Sequence, residues 1–174
     1  EGAVSYTVRH LWQNVSDDDY TLHETETLSG KTGTQTAAAA KEYEGFDAQT
    51  VTQETVLSDE STVVEIKYDR KTVTISFDSD GGSAVESVSG RYGATYTKPE
   101  NPTKTGYSFA SWSPELPDTL AELSATASWT ANTDTAYTVE HYKQPVSGSE
   151  TLSDYVRSDT DNKTGTTAQK TAAA

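Results

Sequence analysis

STVVEIKYDRKTVTISF, residues Ser61 to Phe77, is the stretch that organises this chain. Its side chains alternate with a period of two, which puts Thr62, Val64, Ile66 and Tyr68 on one face of a strand. Asp69 and Arg70 lead straight into KTVTISF, where Val73, Ile75 and Phe77 share one face of a second strand. One unit therefore closes at Arg70 and another opens at Lys71.

Reading outward, the chain repeats itself. YTVRHLWQNVS from Tyr6 recurs as YTVEHYKQPVS from Tyr137, 131 residues on, with seven of the eleven positions identical. KTGT at Lys31 to Thr34 recurs at Lys163 to Thr166, and TAAA at Thr36 to Ala39 recurs at Thr171 to Ala174. The organisation expected is residues 1–70, residues 71–132, and a partial second copy of the first unit over residues 133–174. Thr, Val and Tyr dominate short alternating runs separated by Gly, Pro, Asn and Asp, as short strands require. A helix is expected in one place, TAAAAKEYEG, with Thr36 as N-cap, four alanines, and Gly45 at the end. The fold class expected is α+β, mostly β.

The composition narrows the function. With 13 basic and 27 acidic residues the net charge is −14, which opposes binding to nucleic acid or an anionic membrane. No apolar run is long enough to span a bilayer and no leader opens the sequence, so membrane insertion is not expected. The absence of Met reads as a mature or excised fragment, and the absence of Cys removes disulfides, thiolate catalysis and Cys-based zinc sites.

FDSDGG, Phe77 to Gly82, has the opening of a calcium loop, yet the twelfth position counted from Asp78 is Ser89 where a bidentate Glu is needed. A turn is the better reading, because Asp-Gly-Gly supplies positive φ angles. His10 and His141 occupy equivalent repeat positions, each without a second ligand at metal spacing, and read as packed or partly exposed strand histidines. His23 lacks any nucleophile context. Asp17, Asp18 and Asp19 fall in a polar gap, and Glu24 and Glu26 share a strand face; solvated charge explains them. Tyr92, Tyr96, Tyr107, Phe109, Trp112 and Trp129 are wanted for the core of so small a unit. Trp12 is the candidate ligand-binding residue, since its counterpart in the partial copy is Lys143, an exchange that a core position seldom accepts. No catalytic, cofactor-binding or metal-binding residue is assigned, no cofactor is expected, and the chain does not read as an enzyme.

Residues 71–132 resemble the Listeria-Bacteroides repeat, the B-repeat type of internalins. The resemblance rests on Asp78 to Gly82, Pro99 to Pro102, Gly106 to Trp112 and Ala127 to Trp129, with Asp80 in place of the usual Asn and Ser111 in place of Gly. Residues 1–70 are similar to a MucBP-type repeat, with YTV, ETETLSGKTGT, Tyr43 to Phe46 and VVEIKYDR. These resemblances imply tandem small β-grasp-like (ubiquitin-like) domains in an extended array, in a cell-wall-anchored, extracellular protein of a Gram-positive bacterium. The implied function is a non-catalytic adhesin module that mediates or presents attachment to a host glycan of mucin type or a host protein. The alternative is a purely structural stalk. The partial third piece is expected to stay poorly ordered or to pair with a sheet edge, which would allow self-association.

Overall fold

A computed structural model describes residues 2–144, 146 and 155–171 of the chain. Pro145 and Ser147 of the recurring segment, and Ala172 to Ala174 of the second TAAA, lie outside the described residues. By contact the chain divides into two compact units: residues 1–77, 86–98 and 116–125 in one, and residues 78–85, 99–115 and 126–174 in the other.

The first four strands are β1 (Ala3–Gln13), β2 (Tyr20–Lys31), β3 (Phe46–Ala48) and β4 (Val63–Arg70), in the sheet order β2-β1-β4-β3. β1 is antiparallel to β2 and parallel to β4, with His10 opposite Ile66 and Trp12 opposite Tyr68. The alternation read in STVVEIKYDR holds: Thr62, Val64, Ile66 and Tyr68 are all buried, as are Tyr6, Val8 and His10 on β1. These side chains, with Ala38, Phe46 and Val56, form the core of the sheet, each large one contributing about 1.5–3 kcal/mol by leaving water.

The next four are β5 (Thr72–Asp78), β6 (Val88–Arg91), β7 (Tyr107–Ser113) and β8 (Leu123–Ala131), in the order β6-β5-β8-β7. The order is that of the first sheet, and an internal detail is shared as well. Gly33 donates to the Val56 carbonyl at 2.8 Å and Val56 donates back to Thr34; Gly93 donates to the Leu120 carbonyl at 2.7 Å and Leu120 donates back to Ala94. Val56 and Leu120, both buried, thus hold the same place in sheets whose sequences have little in common.

β9 (Thr135–Lys143) and β10 (Val156–Gly165) pair antiparallel as a two-stranded sheet of their own. In the described residues these strands, of nine and ten residues, pair with each other along their facing edges. The hairpin reproduces β1–β2 closely. Its register shift falls between the pairs of His141 and Tyr142, as that of the first hairpin falls between His10 and Leu11. The shared turn corrects the sequence alignment of KTGT. Gly33, with φ 81°, is matched by Ala168, with φ 62°, while Gly165 lies in β10 against Tyr137 as Gly30 lies in β2 against Tyr6.

The fold class is corrected from α+β to all-β, because the described residues contain no helix. The Thr36 to Gly45 segment runs as an irregular strap that ends in a turn. Ala37 donates to the Tyr6 hydroxyl at 3.0 Å, Ala38 to Gln53 Oε1 at 3.0 Å, and Lys41 to the Tyr68 hydroxyl at 2.9 Å. Gln53 Nε2 donates back to the Ala38 carbonyl at 2.8 Å. Alanine's advantage in a helix is a few tenths of a kcal/mol per residue over most alternatives, whereas each of these bonds is worth about 1 kcal/mol. A run this short is also near the limit at which a helix forms by itself.

Candidate functional site

The aromatic side chains of the first sheet converge at the end of β1. A bulge in β2 leaves His23 as the extra residue between the pairs His10–Glu24 and Leu11–Leu22, and the imidazole lies flat on Trp12, centroids 3.4 Å apart at 12°. Trp12 also stacks on Phe46 at 4.4 Å and meets Tyr43 edge-on at 5.2 Å. Trp12 is thus half-buried and packed against the core, and its Nε1 finds no hydrogen-bond partner among the described residues. Trp12→Ala is expected to cost about 3 kcal/mol of stability, read as a lower denaturant midpoint at unchanged slope.

Behind this cluster lies a polar chain. His10 is fully buried; its Nε2 meets Glu26 at 3.1 Å and its Nδ1 meets the Tyr68 hydroxyl at 2.7 Å. With a neutral imidazole donating Nε2–H to the carboxylate, Tyr68 donates to Nδ1, and the same hydroxyl accepts from the Lys41 amide. The carboxylate–imidazole–hydroxyl order mimics a catalytic relay, but Tyr68 is 1% exposed and its hydroxyl is already used in both directions. Lys41 bridges Glu24 and Glu26, and its hydrogen bond holds the Glu24 carboxyl below its ordinary range. Burial, and then the neighbouring Glu24, pushes the Tyr43 phenol up to about 12. His141 repeats the pairing with Asp161 at 3.3 Å, in a partly exposed setting.

Asp17, Asp18 and Asp19 are more than solvated charge. Hydrogen bonds from the Asn14 side chain at 2.7 Å and the Asp19 amide at 2.9 Å hold Asp17 below its ordinary range. Arg91 donates to the carbonyls of Asn14, Val15 and Asp17 and pairs with Asp18. Arg91 was not singled out by sequence reasoning, since an Arg beside a turn carries no local signal of the loop it clasps.

A second recurring feature joins successive β pieces. Within the first unit, Lys71 donates to the Gly45 carbonyl and Tyr92 donates to the Lys71 carbonyl, both at 2.9 Å. Within the second unit, Asn132 donates to Gly106 and Thr167 donates to Asn132, again both at 2.9 Å. Gly45 and Gly106 have φ of 79° and 80°, and a Cβ on either would overlap the side chain that arrives: Tyr92 in one case, Thr167 in the other.

The FDSDGG segment is a turn. Asp80 donates its amide to Asp78 Oδ1 at 2.9 Å, Asp80 and Gly81 take φ of 46° and 79°, and the Lys104 ammonium sits 2.6 Å from the Asp80 carbonyl. It is wider than a tight hairpin, because β6 begins only at Val88. Among the described residues no group of His, Asp or Glu is placed to hold a metal. Gly82 is required by Trp129: a Cβ there would lie 2.5 Å from the indole, whose Nε1 donates to the Ser79 carbonyl at 3.0 Å. Phe109 meets Trp129 edge-on at 5.8 Å, so the Gly-Gly turn, the aromatic β7 motif and the closing Trp of β8 form one packed set.

Residues 74–141 match the Listeria-Bacteroides repeat domain family. The matched residues run from within β5, through β6, β7 and β8, into β9. Two proteins of Evansella cellulosilytica are similar: one named "Putative membrane protein", 36% identical over 67 residues, and one named "Putative Gly-rich membrane protein", 34% identical over 82 residues. These matches cover 38% and 47% of this chain but 9% of each relative, so the chain spans about a tenth of their length. None of the described residues forms a helix long and apolar enough to cross a membrane.

Proposed function

We propose that the chain is a non-catalytic repeat module of a bacterial surface adhesin, one that mediates or presents attachment to a host glycan or host protein. The observation that carries this reading is the joint built twice, at Gly45–Lys71–Tyr92 and at Gly106–Asn132–Thr167, which links small sheets in series. A serial arrangement of similar units serves to place a contact surface at a distance, and each unit needs only its neighbour for support. The sheet order β2-β1-β4-β3, with β1 parallel to β4, is the ground for reading each unit as β-grasp-like. The MucBP-like pattern of residues 1–70, the Listeria-Bacteroides match and the relatives' names support a location on the outside of a Gram-positive cell wall. Self-association through an edge of the β9–β10 hairpin belongs to the same proposal.

A purely structural stalk is the second reading, favoured by the packing of Trp12, Tyr43 and Phe46 into one another. Surface plasmon resonance of the intact chain over immobilised mucin and over host cell-surface protein separates the two. Saturable binding supports the adhesive module; a flat response on both surfaces leaves the stalk.

A further inference from the structure

Arg70 is out of keeping with its surroundings. It ends β4, donates Nε to the Gln13 carbonyl at 2.6 Å and Nη1 to the Tyr92 carbonyl at 2.8 Å, and lies over the Phe46 ring at 4.8 Å. Yet in a chain of net charge −14 it has no carboxylate within ion-pairing distance among the described residues, and a neighbouring cation, Arg91, repels it. Burial and that neighbour both press its pKa below the ordinary value, so the positive charge is held at a cost that an anion would relieve.

Arg70 lines an open groove of about 240 Å³ whose other walls include Trp12, Asn14, Thr21, Leu22 and His23. No acidic side chain lines it. Leu22 is 51% exposed, giving an apolar surface, and neither ring nitrogen of His23 has a hydrogen-bond partner among the described residues. Thr21 and Asn14 are bonded to each other at 2.7 Å, which fixes two polar groups on one wall. A spare cation, an unpartnered imidazole, an apolar patch and a hydroxyl–amide pair around a volume of one sugar ring are complementary to a carboxylated monosaccharide.

We infer that the groove between Arg70 and His23 binds the carboxylate-bearing sugar of an acidic glycan, with Arg70 taking the carboxylate and His23 and Thr21 the hydroxyls. The inference rests on the attachment reading above and gives it a chemical class of ligand. The β9–β10 hairpin carries Lys143 at the position of Trp12 and Ser158 at the position of His23, so the groove belongs to the first sheet and is not copied with the repeat.

The test is titration of the intact ¹⁵N-labelled chain with glucuronate, glucose and acetate, followed at the Trp12 indole and the amides of Gln13 to Leu22. Saturable shifts are expected with glucuronate at a Kd on the order of 1 mM, at least ten-fold weaker with glucose and with acetate. Arg70→Gln should remove the preference for glucuronate over glucose. Because Arg70 also ties three backbone segments together, Leu22→Glu is the control. It adds a carboxylate at an exposed position, should leave the melting temperature unchanged, and should weaken glucuronate at least ten-fold. Equal response to glucose overturns the role of Arg70, equal response to acetate overturns a sugar in favour of a bare anion, and an unaffected Leu22→Glu overturns the groove. If mucin binding persists unchanged in Leu22→Glu, this site fails while attachment stands. If glucuronate binds but neither mucin nor host protein does, the site stands and the attachment reading fails.

Discussion

Gly45→Ala is expected to destabilise the chain by about 3 kcal/mol or more, the sum of a left-handed backbone cost and forced repacking. Gly45 has φ of 79°, and an added Cβ would lie 2.1 Å from the Tyr92 ring, far inside any contact distance. Tyr92 has little freedom to retreat, because its amide is bonded to Lys71 and its carbonyl to Arg70. Guanidinium unfolding measures the loss. Measured in a Tyr92→Ala background, which removes the clash, Gly45→Ala should cost only the backbone part, about 1–2 kcal/mol. A loss below about 1 kcal/mol in the single variant would show that the joint is loose in solution.

Tyr68→Phe is expected to cost about 2–4 kcal/mol although it removes a single oxygen. The hydroxyl is the shared partner of His10 Nδ1 at 2.7 Å and the Lys41 amide at 2.9 Å, so its loss strands an acceptor and a donor at once. His10 and Tyr68 are fully or nearly fully buried, and each orphaned group carries a desolvation penalty of about 1–3 kcal/mol. Hydrogen exchange should report the change locally, with the Lys41 amide losing protection before the amides of β4. An unaltered Lys41 amide would mean that the strap is held by its other bonds, through Gln53.

What was legible in the sequence was the part governed by a period of two. The faces of β4 and β5, the recurrence of β1 in β9, and the turn at Asp78 to Gly82 all follow from local spacing. The strap was not legible, because the groups that hold it, Tyr6, Gln53 and Tyr68, lie from 15 to 31 residues away and four alanines argue locally for a helix. Trp12 was read as displaced from the core by comparison with Lys143. In the structure its contacts come from His23, Phe46 and Tyr43, and the β9–β10 hairpin puts Ser158 at the place of His23. The exchange at Trp12 therefore marks a change in the whole cluster. The roles of Arg70 and Arg91 were invisible for a similar reason: each acts on carbonyl groups, which every residue type supplies alike.

The joint at Gly45 and Gly106 is made of amide-to-carbonyl bonds, beside which the Lys71 side chain pairs with Asp47 and the Asn132 side chain accepts from Ser108. The backbone part of such a connection asks of an incoming unit a strand and a turn of the right shape, with a side chain that packs on the glycine. Genes that gain, lose or exchange units by recombination can then change the length and makeup of the encoded protein without having to evolve a new interface each time.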